Sequence, residues 1–144
     1  MYTITVPCKK YVRKWLEDPP GKPVDLNKVD QSLYGIFCRL LDKRCTHRDN
    51  QLVGQYNDFI HVLVSEDVYN RYGHGLTITN LTLFNNWLEF MIKKESRLYA
   101  KIYSRFGFQR KKAVSDFQKD LRLSDDDFST DAIIKDIQRY GSRL

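Results

Sequence analysis

No apolar run in this sequence approaches the roughly twenty residues that a membrane-spanning helix needs, so a helical span is excluded. The opening residues, MYTITVPCKKYVRKW, lack the apolar stretch of a secretory leader, and the expected setting is cytoplasmic. Cysteine is scarce. Cys8, Cys38 and Cys45 are odd in number and too few for a disulfide framework, which predicts reduced thiols. Joining them with His47 into a zinc site would match no standard finger or ribbon spacing. Cys38 also lies in the apolar stretch LYGIFCRLL, so a buried structural thiol is the better reading, and no metal or other cofactor is expected. There is no phosphate-binding glycine loop, no HExxH, no nucleophile elbow, no internal repeat and no low-complexity linker. Without these signatures the chain is not expected to be an enzyme. His61 draws attention because it sits inside the apolar run DFIHVLVS, but a satisfied core histidine explains it without chemistry.

What is present is bulk and positive charge. Nine Tyr, eight Phe and two Trp in 144 residues supply the material of a folded core. A chain of this size buries roughly 70% of the surface that its unfolded form exposes, and can fold without metal or disulfide. The net charge is +6. It is laid out in blocks: Lys93 to Arg122 holds ten Lys/Arg against Glu95, Asp116 and Asp120, and Asp125-Asp126-Asp127 follows. A basic balance suits nucleic acid, an anionic membrane surface or an acidic protein partner.

Hydrophobic periodicity gives the elements. YTITVP alternates as a strand that Pro7 ends; Tyr11, Val12, Trp15 and Leu16 recur as a helix that DPPG stops; KPVDLN fits a second short strand. Asn27 or Asp30 caps a helix with Leu33, Phe37, Leu40 and Leu41 on its apolar face, and the following DKRCTHRDNQLVGQYND reads as a loop. DFIHVLVS, apolar on both faces, predicts a central strand buried on both sides. Ser65 caps EDVYNRYG, which Gly73 or Gly75 ends. From Thr77 or Thr79 to about Phe106 runs one long helix, with Leu81, Phe84, Leu88, Met91, Leu98, Ile102 and Phe106 as its stripe and Gly107 as its stop. It is either a spine for other elements or kinked near KKESR. RKKAVSDFQKDLRL is a helix with Ala113, Val114, Phe117 and Leu121 on one face. Ser129 or Thr130 caps the last helix, with Ile133, Ile134, Ile137 and Tyr140 as its stripe. The expected fold class is α+β and mostly helical: a small N-terminal sheet of two or three short strands, one long central helix and a C-terminal helical pair. The expected organisation is a single domain, with a small α+β part over 1–75 and a helical part over 76–144.

The C-terminal pair, over 109–144, is a candidate DNA-binding helix-turn-helix. On its last helix Lys135, Gln138, Arg139 and Ser142 share a face opposite the isoleucines; Lys and Arg can reach phosphate or guanine, and Gln can bond adenine. Arg110, Lys111 and Lys112, at the start of the preceding helix, can neutralise phosphates. Against this stand Asp125, Asp126, Asp127, Asp131 and Asp136, and a linker longer than the usual turn. An ordinary helical hairpin with an acid-rich cap at Ser124 and Ser129 is the competing explanation. Lys94, Arg97, Lys101 and Arg105 form a second basic face, read either as a binding surface or as a solvated one. Tyr99 and Tyr103 beside them are either base-stacking residues or core.

VSEDVYNRYG, LTITNLTLFNNWLEF, AVSDFQKDL and DDDFSTDAIIKDIQR resemble segments of small proteins encoded by phages and mobile elements of gut bacteria. The resemblance covers much of the second half of the chain. It implies a bacterial or phage cytoplasmic setting and an accessory role around DNA, and it transfers no catalytic residue. The expected function is therefore a non-enzymatic accessory protein that binds DNA through basic C-terminal helices. The alternative is a protein-interaction module, a modulator of a host protein or an assembly component, without nucleic-acid contact.

Overall fold

The structure, a computed structural model, describes residues 1–17, 19, 21–44, 56, 58–123 and 128–140. The chain is α+β and forms two compact units, Met1–Trp87 and Leu88–Leu144. The division falls inside one continuous helix.

In the first unit, β1 (Tyr2–Cys8) pairs antiparallel with β3 (Asp58–Val64), with Thr5 opposite His61. Alternation sends Ile4, Val6 and Cys8 of β1 and Ile60, Val62 and Val64 of β3 into the core. The predicted strand at KPVDLN reduces to a single parallel bridge at Val24. Its N–H donates to the His61 carbonyl (2.7 Å) and its carbonyl accepts from the Leu63 N–H (2.8 Å). β3 is thus central in the hydrogen-bonding direction. It is not buried on both faces, because only one face of the sheet is covered. Phe59 is 43% exposed, and His61 is exposed with it. His61 is therefore not a core histidine. Its Nδ1 lies 3.1 Å from the Thr5 hydroxyl, an ordinary cross-strand pair.

Helices α1 (Lys10–Leu16) and α3 (Gln31–Leu40) follow the apolar spacing, whereas α2 (Leu26–Val29) begins inside KPVDLN, where a strand was expected. Asp25 accepts from the Asn27 N–H to cap α2. Asp30 accepts from the Ser32 and Leu33 N–H groups to cap α3. Arg13 of α1 reaches β3 by a 2.7 Å bond to Asp58, with the Glu17 carboxylate 3.7 Å away. Ser65 caps α4 (Glu66–Tyr72) by accepting from the Val68 N–H. Gly73 ends α4 with φ of +135°. A Cβ there would lie 2.6 Å from the Lys43 amide nitrogen and closer still to the Asp42 carbonyl, so only glycine fits. This close approach allows β2 (Leu41–Asp42) to pair with β4 (Gly75–Leu76).

The long helix, α5 (Ile78–Arg105), is capped by the Thr77 hydroxyl, which accepts from the Asn80 N–H, and runs on through KKESR. Within the first unit its Asn80 amide donates to the Leu40 carbonyl and its Phe84 ring meets Phe37. Asn85 is buried and donates to the Pro7 carbonyl (3.0 Å) and to the Leu81 carbonyl (3.1 Å). The second unit adds α6 (Arg110–Asp120) and α7 (Thr130–Tyr140) to the rest of α5. Ala113, Val114, Phe117, Ile133 and Ile137 are buried there; Ile134 and Tyr140 are half-buried. Ser129 caps α7 by accepting from the Ala132 N–H.

Two C-termini in the second unit close by the same motif. At the end of α5 the Gly107 N–H bonds the Ser104 carbonyl and the Phe108 N–H bonds the Tyr103 carbonyl. At the end of α6 the Arg122 N–H bonds the Lys119 carbonyl and the Leu123 N–H bonds the Gln118 carbonyl. Both are Schellman motifs, which place one residue in the left-handed region. Gly107 takes it at φ +79° as expected, whereas Arg122 takes it at φ +56° without glycine's freedom.

Candidate nucleic-acid interface

The second unit is rich in cations, so the position of its carboxylates decides what its surface offers. Asp136 does not face outward. Arg97 donates to it twice, from Nε to Oδ2 and from Nη2 to Oδ1, both at 2.7 Å, and the two side chains are 12% and 10% exposed. The Tyr140 ring lies 4.7 Å from the Arg97 guanidinium. Arg97 therefore leaves the exposed basic face on which its spacing put it. The signal for this pair was in the sequence: Asp136 stands three residues after Ile133 and four before Tyr140, on the stripe itself.

Two further carboxylates are held by tyrosines. The Tyr99 hydroxyl donates to Asp120 (2.7 Å) and the Tyr103 hydroxyl to Asp116 (2.6 Å). The bond to Asp120, with burial, pushes the Tyr99 hydroxyl up to about 12. The bond to Asp116 likewise raises Tyr103, and the same bond holds the Asp116 carboxyl below its usual range. Tyr99 also meets Phe117 edge-on at 5.3 Å. Both tyrosines are half-buried against α6 and are not available as an open stacking pair.

The nominated binding residues are all exposed. Arg110, Lys111 and Lys112 occupy the first turn of α6, which contains no acid. Lys112 alone has an ionic neighbour, Asp116 at 3.6 Å, and its ammonium lies 5.8 Å from the centre of the Phe108 ring. Among the described residues no carboxylate pairs with Arg110, Lys111 or Lys135. Lys135, Gln138 and Arg139 lie on the outer face of α7, opposite Ile133 and Ile137. The two cationic groups are not drawn into one cluster. Phe108, just ahead of α6, touches α5 at Tyr103, whereas Asp136 and Tyr140 touch it at Arg97, about 9 Å back along the helix at 1.5 Å per residue. Residues 121–129 separate α6 from α7. Asp125, Asp126, Asp127, Ser124 and Ser142 lie outside the described residues, as do Cys45, His47 and most of the 42–58 loop.

Periodicity alone misplaced the end of α5. Its spacing puts Leu98, Ile102 and Phe106 on the buried stripe, but they are 50%, 44% and 74% exposed, while Ser96 is buried and the tyrosines take the packed side. Phe108, in no predicted stripe, is 51% exposed. An exposed Phe106-Gly107-Phe108 turn was thus missed, although a stop glycine between two phenylalanines signals it.

The remaining reactive groups are quiet. Cys8 is fully buried, and burial next to Asp58 pushes its thiol up to about 12. Cys38 is raised by burial as well. Both thiols are protonated at neutral pH, the opposite of a nucleophile. Among the described residues no group of three or more His, Cys, Asp or Glu could hold a metal ion. Among those residues, too, no helix is long and apolar enough to cross a membrane.

No family model matches the chain, no curated protein matches it, and no solved structure does.

Proposed function

We propose that the protein is a non-enzymatic accessory protein that binds nucleic acid, duplex DNA included, through the basic surface of its second unit, in the cytoplasm of a bacterium carrying a phage or mobile element. One observation carries this reading. Asp136 is paired with Arg97 of α5, so its charge is offset, while Arg110, Lys111, Lys135 and Arg139 are exposed; Asp116 and Asp120, bonded to neutral tyrosines, keep their charge on α6. Phosphate neutralisation is the interaction that such a surface supports, with sequence-reading by Gln138 and Arg139 of α7 as its finer form. The cellular setting rests on the resemblance described above.

The test is a salt titration of binding to random duplex DNA. Affinity should be micromolar or weaker and should fall steeply with salt. Changing Arg110, Lys111 and Lys112 together to Glu should abolish it without altering the far-UV circular dichroism. Equal binding by that triple variant refutes the assignment. A protein-interaction module is the second reading, favoured by the exposed Leu98 and Ile102 on α5, and it predicts no DNA binding at low salt.

A further inference from the structure

We infer that the Phe106–Gly107–Phe108 turn is a stacking platform for unpaired bases, so that the preferred nucleic acid is single-stranded or contains unpaired nucleotides. This rests on the nucleic-acid reading above and adds the class of strand. Phe106 is 74% exposed and Phe108 51% exposed, on a turn fixed by bonds of 3.1 and 3.0 Å to the last turn of α5. The Phe108 ring is also positioned, 5.8 Å from Tyr103 and 5.8 Å from the Lys112 ammonium. Two exposed aromatic residues on a turn whose backbone is already hydrogen-bonded leave the main chain little to order on binding, which favours sequence-tolerant stacking. Charge selects the ligand. No Asp or Glu occurs between Glu95 and Asp116, and exposed Arg105, Arg110, Lys111 and Lys112 flank the rings on both sides. A strand whose bases lie on the rings brings its phosphates to these cations.

Two other polyanionic or apolar partners fit less well. In a duplex the bases are already stacked on one another, and the rings would have no face to meet. In a lipid bilayer Phe108 could enter hydrocarbon only by drawing the Lys112 ammonium toward it or by breaking that contact, and buried charge is costly. A base stacking on Phe108 displaces the same ammonium, but into water beside a phosphate and not toward hydrocarbon.

The experiment compares binding of the full chain to oligo(dT) of about twenty nucleotides and to a duplex of equal length, by fluorescence anisotropy across a salt series. Vesicles containing phosphatidylserine serve as the third ligand. The expected result is tighter binding to the single strand. Phe106→Ala and Phe108→Ala should each weaken that binding about tenfold, leaving its salt slope and the duplex affinity unchanged. Phe106→Trp should bind like the wild type, with an indole signal quenched by the oligonucleotide. Phe106→Leu, which keeps apolar area and loses the π-face, should behave like the alanine variant. If the double alanine variant binds oligo(dT) as the wild type does, the stacking turn is refuted and the nucleic-acid reading stands. If the wild type binds neither strand form at low salt, the nucleic-acid reading itself fails. Vesicle binding lost in Phe106→Ala but kept in Phe106→Leu, with oligonucleotide binding unmoved, overturns the proposal in favour of a membrane surface. Circular dichroism of each variant keeps misfolding separate from lost binding.

Discussion

Arg13 in the first unit and Arg97 in the second are both arginines tied to an aspartate at 2.7 Å, yet they sit in different surroundings. Arg13 and Asp58 are 31% and 23% exposed, close enough to water to be screened. Arg97 and Asp136 are about half as exposed, bonded twice over, with an aromatic ring beside the guanidinium. A half-wet pair adds little to stability, and its rupture leaves charges that water can solvate. A desolvated pair has a small net value too, since burying both charges is costly, but breaking it strands one of them. The first unit therefore rests on an apolar core that tolerates a lost ion pair. The second attaches its last helix through a contact that does not.

The largest effect should follow from Asp136→Ala, which leaves Arg97 uncompensated and should cost about 3–5 kcal/mol. Urea melts followed at 222 nm measure it. Both tryptophans, Trp15 and Trp87, belong to the first unit, so their fluorescence reports whether the loss is confined to the second. Replacing both partners, Arg97→Met with Asp136→Leu, should recover most of it. Asp58→Ala in the first unit should cost about 1 kcal/mol. Equal losses for Asp136→Ala and Asp58→Ala would break the comparison.

Alkaline titration sharpens it from another side. The Cys8 thiol is raised from 9.0 to about 12, chiefly by burial, and the Tyr99 hydroxyl from 10.0 to about 12, chiefly by its bond to Asp120. Each folded group keeps its proton where the unfolded chain has lost it. Its contribution is therefore complete below the unfolded value and disappears as pH rises toward 12. Stability should hold to about pH 9 and then fall. Cys8→Ala should lessen the decline that begins near 9, which Cys38 shares, and Tyr99→Phe the decline that begins near 10, which Tyr103 shares. Denaturant midpoints across pH 8–12 decide this; unchanged slopes in both variants would be the contrary result.

The smallest predicted effect has the opposite sign. Arg122 stands in the left-handed region at the end of α6, where Gly107 does the same duty at the end of α5. Arg122→Gly removes the steric cost of the Cβ and adds some unfolded-state entropy, and should stabilise by about 1 kcal/mol or less, a few degrees at most in Tm. Gly107→Arg should destabilise by a similar amount.

Legibility in the sequence followed the same division. Where period and cap agreed, the elements were readable: Asp30 before α3, Ser65 before α4, Thr77 before α5 and Ser129 before α7 all accept the bonds their types imply. Faces were harder. Phe59 and Leu63 made β3 look buried twice because hydrophobicity alone does not say whether a second layer covers a sheet. Past Leu88 the apolar spacing of α5 pointed to Leu98 and Ile102, whereas tyrosines whose hydroxyls meet Asp116 and Asp120 take the packed side. A partner's polar groups chose the face, and periodicity is blind to them. The cations of α6 and α7 were readable as exposed. The capture of Arg97 by Asp136, a long-range pair between segments, was not read, although the Asp lay on the stripe.

The glycine that closes α4 is constrained by the fold alone. Position 73 is denied a side chain twice, by a backbone angle of +135° and by the carbonyl of Asp42 standing where a Cβ would go. Neither constraint depends on what the surface binds. Cations can drift, the phenylalanine turn can be traded away and the acidic linker can change length while the β2–β4 pairing still needs this one empty place. A short helix capped by a serine and obliged to end on glycine is thus a demand of the fold, independent of the ligand.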